Sequence, residues 1–290
     1  LGGDDTLVPP RGTKVSVDTE VESAMPTDLY YSGLDRDWNA NSNTVYGEVT
    51  DNPDMAWEVI VGRIPVRTAA QATDYINKLI SFETAPPTNL SRKIILGGMV
   101  AWDTYTGTAR PSDDVTADGH RAFRDTTHPS VSDSEMWDRR LYRDGIRPYW
   151  QASTIGIFCD TLTSWDTTTA GDYLENATNV RKRFNEGWWH LYFSGHGDVT
   201  AWGLESGAFY SSDATLLTNK TPFVYTDACL TGHFDGSTDP CLSEAFLRNP
   251  TGGALVYVGC SRYGWGEPDD SPASTTSDGG PPTVYGYKFY

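Results

Sequence analysis

No apolar run in this chain approaches the roughly 20 residues that a membrane-spanning helix needs, and no internal repeat is visible. Basic residues are scarce: 22 Lys and Arg stand against 39 Asp and Glu, for a formal net charge of −17. That balance argues against a nucleic-acid surface, which needs a basic stripe, and it favours solubility and the binding of cations. Cysteine is also sparse, with 4 in 290 residues, too few for a disulfide scaffold. Cys159, Cys229, Cys241 and Cys260 lack the paired spacing of a zinc knuckle. The opening Leu1-Gly2-Gly3-Asp4-Asp5 has no basic-then-apolar signal pattern.

What is present is a globular composition, 38% apolar and 21% charged, on a length that builds one large core or two lobes. Abundant Trp, Tyr, Gly, Asn and Thr with few Lys resemble the surface of a secreted protein. Leu1 to Pro10 reads as the loop leaving a strand whose residues are absent, and Tyr285 to Tyr290 stops without a cap or a helix. The expectation is a piece of a longer polypeptide, with a complete 290-residue protein as the alternative.

Two short apolar runs organise the chain. Trp188 to Ser194 reads as a buried strand that breaks at Gly195-His196-Gly197, and Pro222 to Thr226 as another that ends at Asp227-Ala228-Cys229. In open α/β sheets the crevice outside the carboxyl ends of the strands handles ligands. Neighbouring parallel strands therefore bring an imidazole and a thiol together at the rim. A nearby imidazole raises the thiolate fraction of a cysteine and later protonates the leaving group. Bare backbone at Gly197, with the Cys229 N–H, offers a hole for a developing oxyanion. His190 and His233 sit in no comparable setting.

The remaining elements alternate. A strand is predicted from Trp57 to Pro65, then a helix capped by Thr68 and running to about Phe82, with Ala72, Ile76, Leu79 and Ile80 on its apolar face. Strands follow at 92–101 and 155–159, separated by a loop at 102–132 and a short helix at 133–144. A helix at 172–186 carries Leu174, Ala177, Val180 and Phe184 on one stripe. After the His and Cys strands come a helix at 240–248 with Pro240 in its first turn, a strand at 253–259, and an irregular tail from Cys260. The alternation predicts an α/β/α sandwich. Residues 1–100 read as a first α/β subdomain lacking its first strand, and 101–290 as a second carrying the His/Cys pair, with a truncated C-terminus.

Residues 28–48 are crowded with oxygen donors. Counting Asp37 as position one of a calcium loop, Asn39, Asn41 and Glu48 fall at positions three, five and twelve, with Asp35 just before. Ser42 replaces the turn glycine at position six, and no flanking helices are apparent, so this is not an ordinary EF-hand. A structural calcium ion and a polar Asn-rich turn are both open readings.

Phe193-Ser194-Gly195-His196-Gly197, Thr200-Ala201-Trp202, Asp227 to Gly232, and Pro240-Cys241-Leu242-Ser243-Glu244-Ala245 resemble the catalytic half of the gingipains, secreted cysteine endopeptidases of caspase-like fold. Asp28 to Tyr31, Trp38-Asn39 and Val61 to Pro65 resemble that family's first subdomain, and Gly2-Gly3-Asp4 to Pro10 its opening strand exit. The likeness implies a caspase-like three-layer α/β/α sandwich with a mostly parallel sheet. It implies His196 as general base and acid, Cys229 as nucleophile, and an oxyanion hole from Gly197 and Cys229. The family's acidic residue that orients the histidine maps after Leu96-Gly97-Gly98, where Trp102 and then Asp103 stand. Asp133 aligns with the pocket-floor aspartate that pairs with a basic P1 side chain, and Trp265 with the tryptophan against the P1 stem, core packing being its alternative reading.

The resulting expectation is a secreted or cell-surface cysteine endopeptidase that cleaves after Arg or Lys through a thioester. It needs no cofactor for catalysis, and its partners are protein or peptide substrates and other segments of its own precursor. A catalytically inactive calcium-binding or adhesion module and a sortase-like transpeptidase are the two rivals.

Overall fold

The β-branched and aromatic runs read from the sequence assemble into a parallel sheet. The computed structural model describes residues 1–17, 20–35, 37–53, 56–86, 93–97, 154–157, 176–185, 190–204, 207–219 and 223–264. Two strands, β1 (Arg11–Val17) and β2 (Glu20–Thr27), form an antiparallel hairpin near the start of the chain. Farther on come β3 (Lys93–Gly97), β4 (Thr154–Ile157) and β5 (His190–Ser194). Three short strands follow, β6 (Gly197–Asp198), β7 (Ala201–Gly203) and β8 (Ala208–Tyr210), then β9 (Phe223–Thr226) and β10 (Val256–Val258).

The main sheet has the order β10-β9-β5-β3-β4, and each of its pairings is parallel. The chain runs from β3 outward to β4, returns to β5 on the other side of β3, and continues to β9 and β10. Strand order therefore reverses between β3 and β5, and the crevice at the carboxyl ends there is where a sheet of this kind handles its ligand. β3 lies inside this sheet, so residues before position 100 and after it share one set of strands.

A second, three-stranded antiparallel unit, β6-β7-β8, springs directly from the carboxyl end of β5. This unit and the β1–β2 hairpin lie outside the elements that the sequence pattern predicts. Its anchor is Trp202, fully buried, stacked 4.7 Å from the Phe193 ring of β5 and 5.4 Å from Phe209 of β8. Stacked and tilted aromatic pairs at such spacings add stability beyond the area they bury.

Among the described helices, α1 (Leu29–Ser32) is a single turn and α2 (Ala69–Thr84) is the longest. They are followed by α3 (Ala177–Asn185), α4 (Ser211–Ala214) and α5 (Leu242–Arg248). Val180 and Phe184 of α3 and Phe246 of α5 close the core over Leu191 and Val224 of the sheet. Thr68 caps α2 as expected, its hydroxyl accepting the Gln71 N–H while the Gln71 side chain reaches back to the Thr68 N–H.

Four expectations differ from the structure. Trp57 to Pro65 is not a strand. Its only ladder contact among the described residues is one parallel bridge between Gly2 and Ile64, and Ser32 O instead takes the Glu58 and Val59 N–H groups. The inward face of α2 is not Ile76 and Ile80, which are exposed, but Tyr75, Lys78 and Phe82. Lys78 is buried because its ammonium finds the carbonyls of Leu247, Gly252 and Ala254 at 2.8, 3.1 and 3.2 Å, and a buried charge is tolerated only with such partners. Pro240 precedes α5 instead of entering its first turn, and Cys241 is the N-cap. The last strand begins only at Val256, because Gly253 adopts φ +86° and Ala254 N–H donates back to Phe246 O. The loop at 102–132 and the helix at 133–144 lie outside the described residues.

Candidate active site

The parallel register pairs Phe193 with Thr226, so β5 and β9 end level with one another. β5 then delivers Gly195-His196-Gly197, and β9 delivers Asp227-Ala228-Cys229, on adjacent strands beside the switch point. The two turns touch. A Cβ placed on Gly197 would lie 2.6 Å from Cys229 O and 2.8 Å from the Ala228 Cβ and from a Thr231 methyl. Glycine at 197 is therefore a requirement of close approach. A further link is the Gly195 N–H, which donates to the Asp227 carboxylate at 3.3 Å.

Helix α5 braces both turns from below. Leu242 N–H donates to Val199 O, one residue past β6, and Ser243 N–H donates to Thr231 O, just beyond Cys229. These are orphan donors of a helix first turn, used here to fix two loops to one rigid element. The His196 side of the site is set by the hairpin, since Gly203 N–H donates to His196 O at 2.8 Å. That bond makes Gly197 and Trp202 a non-hydrogen-bonded pair, which turns the Gly197 N–H away from the ladder. His196 itself is exposed at the rim.

Cys229 is half-buried, and its sulfur accepts the Gly264 N–H at 3.3 Å. Burial pushes its thiol above the usual range, the Gly264 N–H opposes that, and the Asp227 carboxylate adds to it. The other described cysteines are poorer nucleophiles. Burial pushes Cys241, the N-cap of α5, up to about 12, with the Glu244 charge assisting. Cys260 donates to Asp227 O at 3.4 Å and is also pushed up to about 12, first by burial and then by Asp227 and Cys229.

The structure thus brings the turn that carries His196 and Gly197 against the turn that carries Cys229. Asp103, Asp133 and Trp265 lie outside the described residues. Gly264 and Arg262, which contact the Cys229 turn, were not found from the sequence; the only signal was their nearness to Trp265 in Tyr263-Gly264-Trp265.

The candidate calcium ligands form a loop that closes on itself. The Glu48 carboxylate accepts the amide N–H groups of Asn41 and Asn43 at 2.9 and 2.6 Å. The side-chain oxygens of Asp37, Asn41 and Asn43 cap the N–H groups of Asn39, Asn43 and Val45. Donors of the loop itself engage both the Glu48 and the Asp51 carboxylates, so Asp35, Asp37, Asn39, Asn41 and Glu48 as arranged here do not present the converging oxygens a hard cation requires. Among the described residues no group of three or more His, Cys, Asp and Glu side chains is spaced to hold a metal ion.

The sheet order and its strand-end histidine and cysteine can be set beside known proteins. The family profile described as Peptidase family C25 matches residues 1–284, and the chain belongs to that family. Gingipain R2 of Porphyromonas gingivalis is 33% identical over 97 residues, 31% of this chain and 13% of the relative. Gingipain R1 of the same organism is 33% identical over 97 residues, 31% of this chain and 10% of the relative. The crystal structure of the Arg-specific cysteine proteinase gingipain R (RgpB) superposes with a TM-score of 0.57 at 18% identity, covering 98% of this chain and 50% of that one. The complex of Porphyromonas gingivalis RgpB pro- and mature domains gives 0.54 at 17% identity, covering 91% and 49%. The fold is therefore the caspase-like α/β fold of gingipain R, and the chain spans about half the length of these solved relatives.

Proposed function

We propose that this chain carries the catalytic centre of a cysteine endopeptidase. The observation that supports this most strongly is the contact between the His196 and Cys229 turns at the carboxyl ends of β5 and β9. In this reading the Cys229 sulfur attacks the scissile carbonyl carbon as its proton passes to His196. The carbonyl oxygen, now negative, is taken by the N–H groups of Gly197 and Cys229. Collapse of the tetrahedral intermediate breaks the C–N bond, and His196 returns the proton to the leaving amine. Water then attacks the thioester with His196 as base, releasing the carboxylic acid and restoring the thiol.

Asp103 is the residue assigned to orient the imidazole, and Asp133 with Trp265 to receive a basic P1 side chain. The Arg specificity of gingipain R supports the preference for Arg, with Lys as the second choice. The substrates are then proteins or peptides, and a relative solved with its pro-domain supports a segment of the precursor as a further partner. Location outside the cell belongs to the same proposal and is supported by the composition.

Cys229→Ala is expected to abolish hydrolysis of a peptide amide with Arg at P1 while the near-UV circular dichroism is retained. Full activity in that variant ends the assignment. A P1 library profile favouring Asp or Leu removes the basic preference alone. An added amine nucleophile captured in the product in place of water would make the enzyme a transpeptidase.

A further inference from the structure

The segment that follows β10, Ser261–Gly264, lies along the turn that carries Cys229, and its contacts go beyond packing. Leu230 N–H donates to Arg262 O at 2.8 Å and Gly232 N–H to Cys260 O at 2.9 Å, two rungs that run beside the residues just after the cysteine. The first of them holds Leu230 at φ +61°, a left-handed conformation that costs a branched residue free energy unless its surroundings enforce it. The segment ends with Gly264 N–H aimed at the Cys229 sulfur at 3.3 Å. No side chain fits at 264, because a Cβ there would overlap Asp227 O and sit 3.3 Å from the Cys260 sulfur.

Arg262 fastens this strap by its side chain as well. Its guanidinium forks onto the Asp235 carboxylate with two bonds of 2.9 Å, donates to Ser261 O at 2.8 Å, and lies 3.3 Å from Glu22 of β2. Asp235 stands at the far end of the turn that begins at Cys229, so the fork ties the strap to the same loop that its Gly264 N–H reaches at Cys229. A planar guanidinium makes this bidentate grip, and an ammonium does not.

We propose that Ser261–Gly264 is a thiolate-stabilising strap, in which the Gly264 N–H donates to the Cys229 sulfur and Arg262 is the positioning residue that holds it there. The proposal rests on the reading of Cys229 as the nucleophile. A hydrogen bond to the charged form of a group favours that form, so the Gly264 N–H at 3.3 Å opposes the burial and the Asp227 carboxylate that keep the thiol protonated, and it is closer to the sulfur than the Gly264 carbonyl, which accepts from the thiol at 3.9 Å. The titratable groups that act on Cys229 directly are Asp227 at the tip of β9 and Cys260 just before the strap, and His196 stands on the neighbouring turn after β5; Arg262, Asp235, His233 and Glu22 form the outer layer. Within that layer the Arg262 charge is matched by Asp235 and Glu22. Removing Arg262 therefore acts through the position of the Gly264 N–H.

The test compares the full chain with Arg262→Ala and Arg262→Lys, following Cys229 carbamidomethylation by iodoacetamide against pH with peptide mass mapping. With the donor displaced, the thiolate loses stabilisation and the midpoint moves up. The expected rise is about one pH unit in both variants, with the acid limb of kcat/KM rising by the same amount. kcat is expected to fall about tenfold with KM changed less than about twofold, the pattern of an interaction made in the transition state. Wild-type midpoints in both variants overturn the proposal. So does a shift in Arg262→Ala that Arg262→Lys restores, since charge and not the fork would then be responsible. Asp235→Asn, which weakens the same fork, replaces Arg262→Ala should that chain not fold. The alkylation midpoint needs no peptidase activity. A hydrolytically active Cys229→Ala would sink the peptidase reading while leaving the strap to stand or fall on its own measurement.

Discussion

Gly197→Ala is the smallest change that separates the two halves of the site. Its new methyl would meet Cys229 O at 2.6 Å and two further carbon atoms at 2.8 Å. All three contacts are below the range that real methyl groups tolerate. Two of the three neighbours are backbone or near-backbone atoms of the cysteine turn, and that turn is itself pinned by Ser243 N–H and by the strap. The strain is relieved only when the histidine turn moves outward, by something on the order of 0.5–1 Å, at a stability cost of about 1–3 kcal/mol for overpacking. A misplacement of that order in a catalytic pair costs about 100-fold in rate. The assay is kcat/KM on a fluorogenic peptide with Arg at P1, beside thermal unfolding and the rate of Cys229 alkylation. A folded variant with a reactive thiol and about 1% of the activity is expected on that estimate. Full activity in Gly197→Ala would refute the claim that contact between the turns sets the catalytic geometry.

Two further predictions concern stability. Lys78→Met keeps the aliphatic stem but strips three carbonyls at the end of α5 of their donor, and is expected to cost about 2 kcal/mol, read as a lower urea midpoint at unchanged m-value; an unchanged midpoint would show that water replaces the ammonium without loss. Burial raises the Glu244 carboxyl to about 7, against the opposing Cys241 N–H and Arg248. A group whose pKa is raised on folding contributes stability that is fully present below its unfolded value and is lost as pH rises through the folded value. Glu244→Gln removes that dependence while keeping an oxygen for the Cys241 N–H. Its melting temperature should therefore gain on wild type as pH rises from about 4.5 to about 7, and a constant difference across that window would contradict the burial argument.

The parts of the fold legible in the sequence were those whose physics is local or strongly apolar. The runs that became β5 and β9 are apolar, β-branched or aromatic, and end at turn formers, so both strands and their carboxyl-end residues could be read directly. Thr68 and Gln71 announce the start of α2 by their spacing alone. The misreadings arose where tertiary partners decide. Lys78 looks like a solvent residue until three backbone carbonyls surround it, and this turned the expected face of α2 by about a third of a turn. Trp57 to Pro65 has the composition of a strand but meets a partner only at Ile64. Two- and three-residue strands such as β6 and β7 are too short to show a period, and Trp202, which anchors them, is recognisable only once Phe193 and Phe209 are stacked against it.

In the site, His196 and Cys229 stood out because each follows a strand directly. Gly264 and Arg262 did not, because they reach Cys229 from a segment more than 30 residues later through backbone bonds that carry no residue code.

The most direct measurement is covalent labelling of the intact chain with a peptidyl acyloxymethyl ketone bearing Arg at P1, mapped by peptide mass spectrometry. The account predicts modification at Cys229, not at Cys241 or Cys260, and a large fall in its rate in His196→Ala. Labelling spread over several cysteines, or a rate at Cys229 that His196→Ala leaves unchanged, would contradict it.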